Sequence, residues 1–135
     1  MLLVKTIIKE SPIQGLGLFA AERISKGTVI WKYNPRFDIS FTPEEVEKMR
    51  PMEKELINTY AYLSNDQHVY IYSMDNTRFT NHSSVNPNEN VILLPGDTET
   101  SGVANRDIEV GEEILVNYRL FDEHDATSEE EYLKS

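Results

Sequence analysis

The hydrophobic rhythm of the chain changes twice, from strand to helix and back. Leu3 to Lys9 alternates apolar and polar positions and is rich in Val, Thr and Ile, which predicts a strand. Ser11-Pro12 breaks it, and Gln14 to Ala21 reads as a glycine-containing turn recovering into Leu18-Phe19. Ser25-Lys26-Gly27 is a second turn, and Thr28 to Tyr33 a strand ended by Asn34-Pro35. Then the period lengthens. Thr42-Pro43-Glu44-Glu45 supplies an N-cap, a proline at the first helical position and acids in the first turn, so a short helix runs to about Arg50. Pro51 opens a second helix with Leu56, Ile57, Tyr60 and Leu63 at helical spacing, closed by Asn65-Asp66. From His68 the strand pattern returns: Val69 to Tyr72, Asn90 to Leu94, Val103 to Ile108, and Glu113 to Tyr118 after the Glu109-Val110-Gly111 turn. Ser128 and Glu131 have capping-box spacing for a last short helix. Many short strands with one helical insertion predict a mostly β, α+β domain.

Composition narrows this. A length of 135 residues fits one domain with its own core, and the chain has no cysteine, so it has neither thiol chemistry nor a cysteine-bound zinc. The first residues make a poor signal peptide because Lys5 and Lys9 interrupt the apolar run, and no apolar stretch approaches the roughly 20 residues of a membrane span. A cytoplasmic protein is the expectation. The net charge of −10 argues against direct nucleic-acid binding. It is uneven: residues 1–33 carry about +3 and residues 34–135 about −13, a surface suited either to plain solubility or to lysine-rich partners.

The candidate chemistry lies in three segments. Gly15-Leu16-Gly17-Leu18-Phe19-Ala20 matches the G-x-G-x-x-A nucleotide fingerprint, but a second turn and a β run follow where that fingerprint needs a helix and crossover unit. What survives is a backbone able to turn tightly and approach a ligand closely. Arg78-Phe79-Thr80-Asn81-His82-Ser83 runs on to Pro87-Asn88. Ala104-Asn105-Arg106-Asp107-Ile108 leads through Gly111-Glu112-Glu113 to Tyr118. His68, His82 and His124 lack metal-ligand spacing, no serine sits in a nucleophile elbow, and Glu129-Glu130-Glu131 reads as a solvated face.

In this order and spacing the three segments resemble the SET-domain family of protein-lysine methyltransferases, from Lys9 to Tyr118, and the compact length is similar to the minimal viral and bacterial members. The resemblance implies a SET fold of several small curved sheets, a knot-like C-terminal crossing and a short helical insertion. It implies a SET domain over 1–121, with the insertion at about 42–64, and an acidic C-terminal segment at 122–135. It also implies S-adenosylmethionine as cofactor, held by Gly15, Leu16, Gly17, Asn81, His82 and Tyr118. Tyr118 would be catalytic, a narrow channel would admit a lysine from a basic protein or peptide, and the insertion would shape substrate choice. Tyr33 lies where relatives often place a channel tyrosine, Tyr70 and Tyr72 are channel candidates beside it, and Tyr60 and Tyr62 are weaker ones. For each, core or edge packing is the competing explanation.

Three departures stand out. Ser84 takes the position of a family cysteine, and one extra residue separates Ser83 from Pro87. Val116 occupies the position two before the tyrosine, often Phe or Tyr in relatives. No zinc-binding cysteines follow Tyr118, so Phe121 and residues 128–133, with Tyr132 and Leu133, are expected to close the channel instead. Two other readings stay open: a SET-like peptide-binding module without activity, and a methyltransferase acting on a non-histone protein or a small amine.

Overall fold

The computed structural model describes residues 1–64, 66–83, 89–95 and 99–117. Tyr118, residues 84–88 and the acidic segment lie outside these, and so do the expectations placed on them.

The first element is a hairpin, β1 (Thr6–Glu10) antiparallel to β2 (Leu16–Ala20), with Ile8 opposite Leu18. Its loop is closed by the Ser11 N–H donating to Gly15 O at 2.8 Å. Gly15 sits at φ +48°, the left-handed region where an L side chain is strained. β2 carries the hairpin's buried side, since Leu18 and Ala20 are both fully covered.

Two three-stranded antiparallel sheets follow. One has the order β3 (Val29–Trp31), β9 (Ser101–Ala104), β8 (Val91–Leu94). Its inner face joins Ile30, Val91 and Ala104 to Leu18, Ala20, Ile24, Ile108, Ile114 and Val116 in the main core. The other has the order β4 (Asp38–Phe41), β6 (Tyr70–Ser73), β5 (Tyr62–Leu63). The insertion connects β4 to β5 as α1 (Pro43–Glu47) and α2 (Pro51–Tyr60).

α1 starts as its sequence predicts. Thr42 Oγ1 accepts the Glu45 N–H at 3.1 Å while Glu45 accepts the Thr42 N–H at 3.0 Å, a reciprocal capping box with Pro43 at the first turn. α2 ends earlier than its spacing predicts, at Tyr60 rather than Asn65, because Tyr62 and Leu63 pair with Ile71 and Tyr70 of β6. Sheet pairing outweighs a helical periodicity that rested on Leu63. Strand β4 was not expected from the pattern. Its alternation, Ile39 and Phe41 between Asp38 and Ser40, is only four residues long, and its first residue is a buried carboxylate, accepting the N–H of Asn34 at 2.7 Å.

The turn after β5 is held from across the molecule. Ser64, fully buried, accepts the N–H groups of Asp66 and Gln67 and donates to the Glu99 carboxylate at 2.5 Å, and Gln67 Nε2 donates to the same oxygen at 3.0 Å. Burial raises the Glu99 pKa, against the opposing effect of these hydrogen bonds and with help from Asp66. A carboxyl whose folded pKa is raised binds protons more tightly in the native state. Its stabilisation is therefore complete below the unfolded value, near 4.5, and is lost as pH rises through the folded value. Glu99→Gln imitates the protonated form at every pH and keeps an acceptor for Ser64. It is expected to match the parent at pH 4 and to melt higher than the parent at pH 8. Thermal unfolding at both pH values checks this, and an unchanged difference between them refutes it.

The last pair crosses the chain. β7 (Asn81–His82) and β10 (Leu115–Val116) run parallel, with Asn81 opposite Leu115 and His82 opposite Val116. Mostly β, with several small antiparallel sheets and two short helices, the domain has the expected fold class. Among the described residues no helix is long and apolar enough to cross a membrane, and no cluster of three or more acids or histidines could hold a metal.

Candidate cofactor site at the crossing

Residues 111–116 are stitched to β2 on one side. Gly111 donates its N–H to Ala20 O, Ala20 donates to Glu112 O, and Ile114 donates to Leu18 O, all at 2.8–2.9 Å. The turn that starts this segment relies on Gly111 at φ +90° and on Glu112, which accepts the Glu109 N–H and an Arg106 guanidinium bond, each at 2.9 Å. Beyond Ile114 the chain passes to β7, where Ser83 N–H donates to Val116 O at 3.1 Å.

Asn90 guards the other side of β10. It is 1% exposed and behaves as a surrogate strand: its N–H donates to Leu115 O at 3.1 Å, its Oδ1 accepts the Leu115 N–H at 2.9 Å, and its Nδ2 donates to Glu113 O at 2.8 Å. A buried polar side chain costs free energy unless satisfied, and this one satisfies two backbone groups in return.

The glycine turn and the Asn-His segment are brought together directly. Asn81 Nδ2 lies 3.0 Å from Gln14 O, 3.2 Å from Leu16 O and 2.9 Å from Glu113 Oε2. The amide nitrogen of Asn81 is thereby committed to framing the turn. His82 is 3% exposed inside the β7–β10 pair. The two glycines differ in purpose. Gly15 has open space where a side chain would project, whereas the Cα face of Gly17 is filled by the Glu113 carboxylate and Ser11. Leu16 between them is half exposed. The backbone is exposed at Gly15 and Leu16, whereas Gly17 is buried beside the Asn-His pair, so the peptide groups of Gly15 and Leu16 are the ones that suit a cofactor such as S-adenosylmethionine.

The channel candidates divide. Tyr70 and Tyr72 lie two apart on β6 and share one face with Phe41 and Ile39. The Arg78 guanidinium stands 6.0 Å from the Tyr72 ring, 5.6 Å from Tyr60 and 4.7 Å from Phe79, and Tyr60 meets Phe79 edge-on at 5.8 Å. Tyr60, at the end of α2, thus joins Tyr72 around one cation. Tyr33 is not in this group. Its hydroxyl reaches Ser40 at 3.5 Å, and Ser40 is opposite Ile71, on the other face of the sheet from Tyr70 and Tyr72. Sequence reasoning gave no role to Ser11, Asn90 or Glu113. Glu113 lies inside the Gly111-Glu112-Glu113 motif, and Asn90 was legible only as a polar residue opening an apolar run.

A family model described as SET domain matches residues 15–119. Among solved structures, a Plasmodium falciparum protein assigned as a histone methyltransferase superposes with a TM-score of 0.56 at 24% identity, covering 85% of this chain and 93% of that one. The Chaetomium thermophilum Polycomb Repressive Complex 2 bound to GSK126 gives 0.62 at 21% identity, over 85% of this chain and 16% of that chain. A further structure of that complex, autoinhibited and bound to S-adenosylmethionine, gives 0.58 at 22% identity, over 85% and 15%. The chain therefore spans about 15% of the length of the Polycomb chains it matches.

Proposed function

Because the chain belongs to the SET-domain family, we propose that it is an S-adenosylmethionine-dependent protein-lysine N-methyltransferase. The observation that carries this is the junction of Gly15-Leu16-Gly17, Asn81 and the strand leading to Tyr118, three distant segments held within hydrogen-bond reach. Bound there, S-adenosylmethionine would supply an activated methyl group on a sulfonium. Gly15 and Leu16 would present backbone to the cofactor, His82 would form a wall, and Asn81 would keep that wall and the turn in register.

A lysine amine, with an ordinary pKa near ~10.4, is not nucleophilic until it loses a proton, and a desolvated channel favours the neutral form. The Tyr118 hydroxyl would accept or donate a hydrogen bond to orient that amine while staying protonated itself. Tyr70 and Tyr72 would flank the lysine stem, and Tyr60 would couple the insertion to that wall. The half-exposed position of Tyr33 beside Ser40 favours an outer role, at the peptide rather than the channel. The excess of negative charge over residues 34–135 suits a basic peptide.

Isothermal titration with S-adenosylmethionine, then mass spectrometry of lysine-containing peptides incubated with labelled cofactor, tests the reading. Cofactor binding with methylated lysine is expected. Absence of cofactor binding sinks it, and binding without transfer to any peptide or protein favours the peptide-binding module. For the C-terminal segment, truncation after Asp125 is expected to abolish peptide binding while cofactor affinity holds. Unchanged activity would remove residues 128–133 from the channel.

A further inference from the structure

The glycine turn is fastened to the C-terminal crossing through one carboxylate. Ser11 Oγ lies 2.8 Å from both Glu113 oxygens and shares its one hydroxyl hydrogen between them, and Asn81 Nδ2 donates to Oε2 at 2.9 Å. Among the described residues no cation pairs with Glu113, so its charge strengthens these hydrogen bonds rather than a salt bridge. The same group occupies the Cα face of Gly17. A Cβ at position 17 would overlap Glu113 Oε2 and stand 3.0 Å from its Cδ and from Ser11 Cβ. A free glutamate could swing aside. This one can do so only by releasing Ser11 and Asn81, and Asn81 is also the group that holds Gln14 O and Leu16 O.

We propose that Glu113 is a positioning residue for the cofactor, setting the shape of the Gln14–Gly17 turn from the opposite end of the chain. Gly17 is glycine because Glu113 needs its space, and the turn takes its cofactor-ready form because Glu113 locks it to Asn81. This rests on the methyltransferase reading above.

The test is a double-mutant cycle on the full chain, read as S-adenosylmethionine affinity by isothermal titration. Gly17→Ala and Glu113→Ala should each weaken binding by about tenfold or more, and the double variant should bind no worse than Glu113→Ala, since the truncated side chain frees the space the new methyl requires. Glu113→Gln keeps the length and one acceptor oxygen. It should stay within about threefold of the parent, while Gly17→Ala on that background remains harmful. In turnover, Glu113→Ala should raise the cofactor KM and leave kcat at saturating cofactor and the peptide KM near parental values, a split that general destabilisation does not produce. Should Glu113→Ala fail to fold, Ser11→Ala carries the test: a raised cofactor KM at near-parental Tm is expected, and an unchanged KM overturns the proposal. Penalties that multiply in the double variant overturn it alone, with the parent still binding cofactor. A parent that binds no S-adenosylmethionine overturns both it and the reading beneath it.

Discussion

Replacing Tyr118 with phenylalanine is expected to leave a folded protein that binds S-adenosylmethionine with near-parental affinity and transfers methyl groups about a hundredfold more slowly, or worse. The change removes a single hydroxyl and keeps the ring, so the packing volume is preserved. What disappears is the group proposed to hold the amine in line with methyl and sulfur. Misplacement of a reacting group by about an ångström costs on the order of a hundredfold, which sets the scale. The strand before Tyr118 is anchored independently of that hydroxyl, by Val116 opposite His82 and by the Ser83 N–H on Val116 O. Stability should therefore hold. Single-turnover rates with labelled cofactor, beside isothermal titration, separate the outcomes. Near-normal turnover counts against Tyr118 as catalytic, and lost cofactor binding reassigns it to the cofactor wall.

Asn90→Ala should be the most destabilising single polar change among the described residues, by about 2–4 kcal/mol. It strands the Leu115 N–H and the Glu113 carbonyl, both of which depend on the Asn90 side chain. For a domain of this size that corresponds to a fall in Tm of roughly 10 °C. Asn90→Asp separates the two bonds. It keeps the acceptor for Leu115 but sets an oxygen against Glu113 O, so its defect should be greater at neutral pH than in acid, where a protonated carboxyl can donate. Thermal unfolding of both variants measures this. A loss under about 1 kcal/mol for the alanine variant would mean that other groups replace the asparagine.

Much of the fold could be read from short-range chemistry. The capping box at Thr42 and Glu45 and the proline starts of both helices need only neighbouring residues, and both helices begin where expected. The alternating runs located most strands, with bounds that shift by a few residues: Leu3–Lys9 became Thr6–Glu10, and Glu113–Tyr118 kept only Leu115–Val116 as strand among the described residues. What remained hidden depends on partners far along the chain. The early end of α2 is decided by β6, and the strand at Asp38–Phe41 by the same partner. For the site, the three motifs identified which segments meet, and the hydrogen bonds of Asn81 join the first two. The motifs did not show that the Asn81 amide spends itself on the turn, or that Glu113 and Asn90 fix the strand between them. A lone glutamate or asparagine carries no periodic signal, and its role exists only once the chain has crossed itself.

That crossing also governs when the protein becomes competent. Ser11 and Glu113 are 102 residues apart, and Asn81 and Glu113 are 32 apart. Contacts of such range make folding slow relative to a helical domain, because the loops must close before the contacts reward them. A growing chain can hold the glycine turn and the whole Asn-His segment and still lack the bonds that join them through Glu113 until position 113 has been synthesised. At ~5–20 residues per second Ser11 waits roughly 5–20 s for that keystone and Asn81 roughly 2–6 s. A ligand that binds only the joined state draws late-folding molecules toward it by mass action, so supply of the proposed cofactor would influence the yield of native protein.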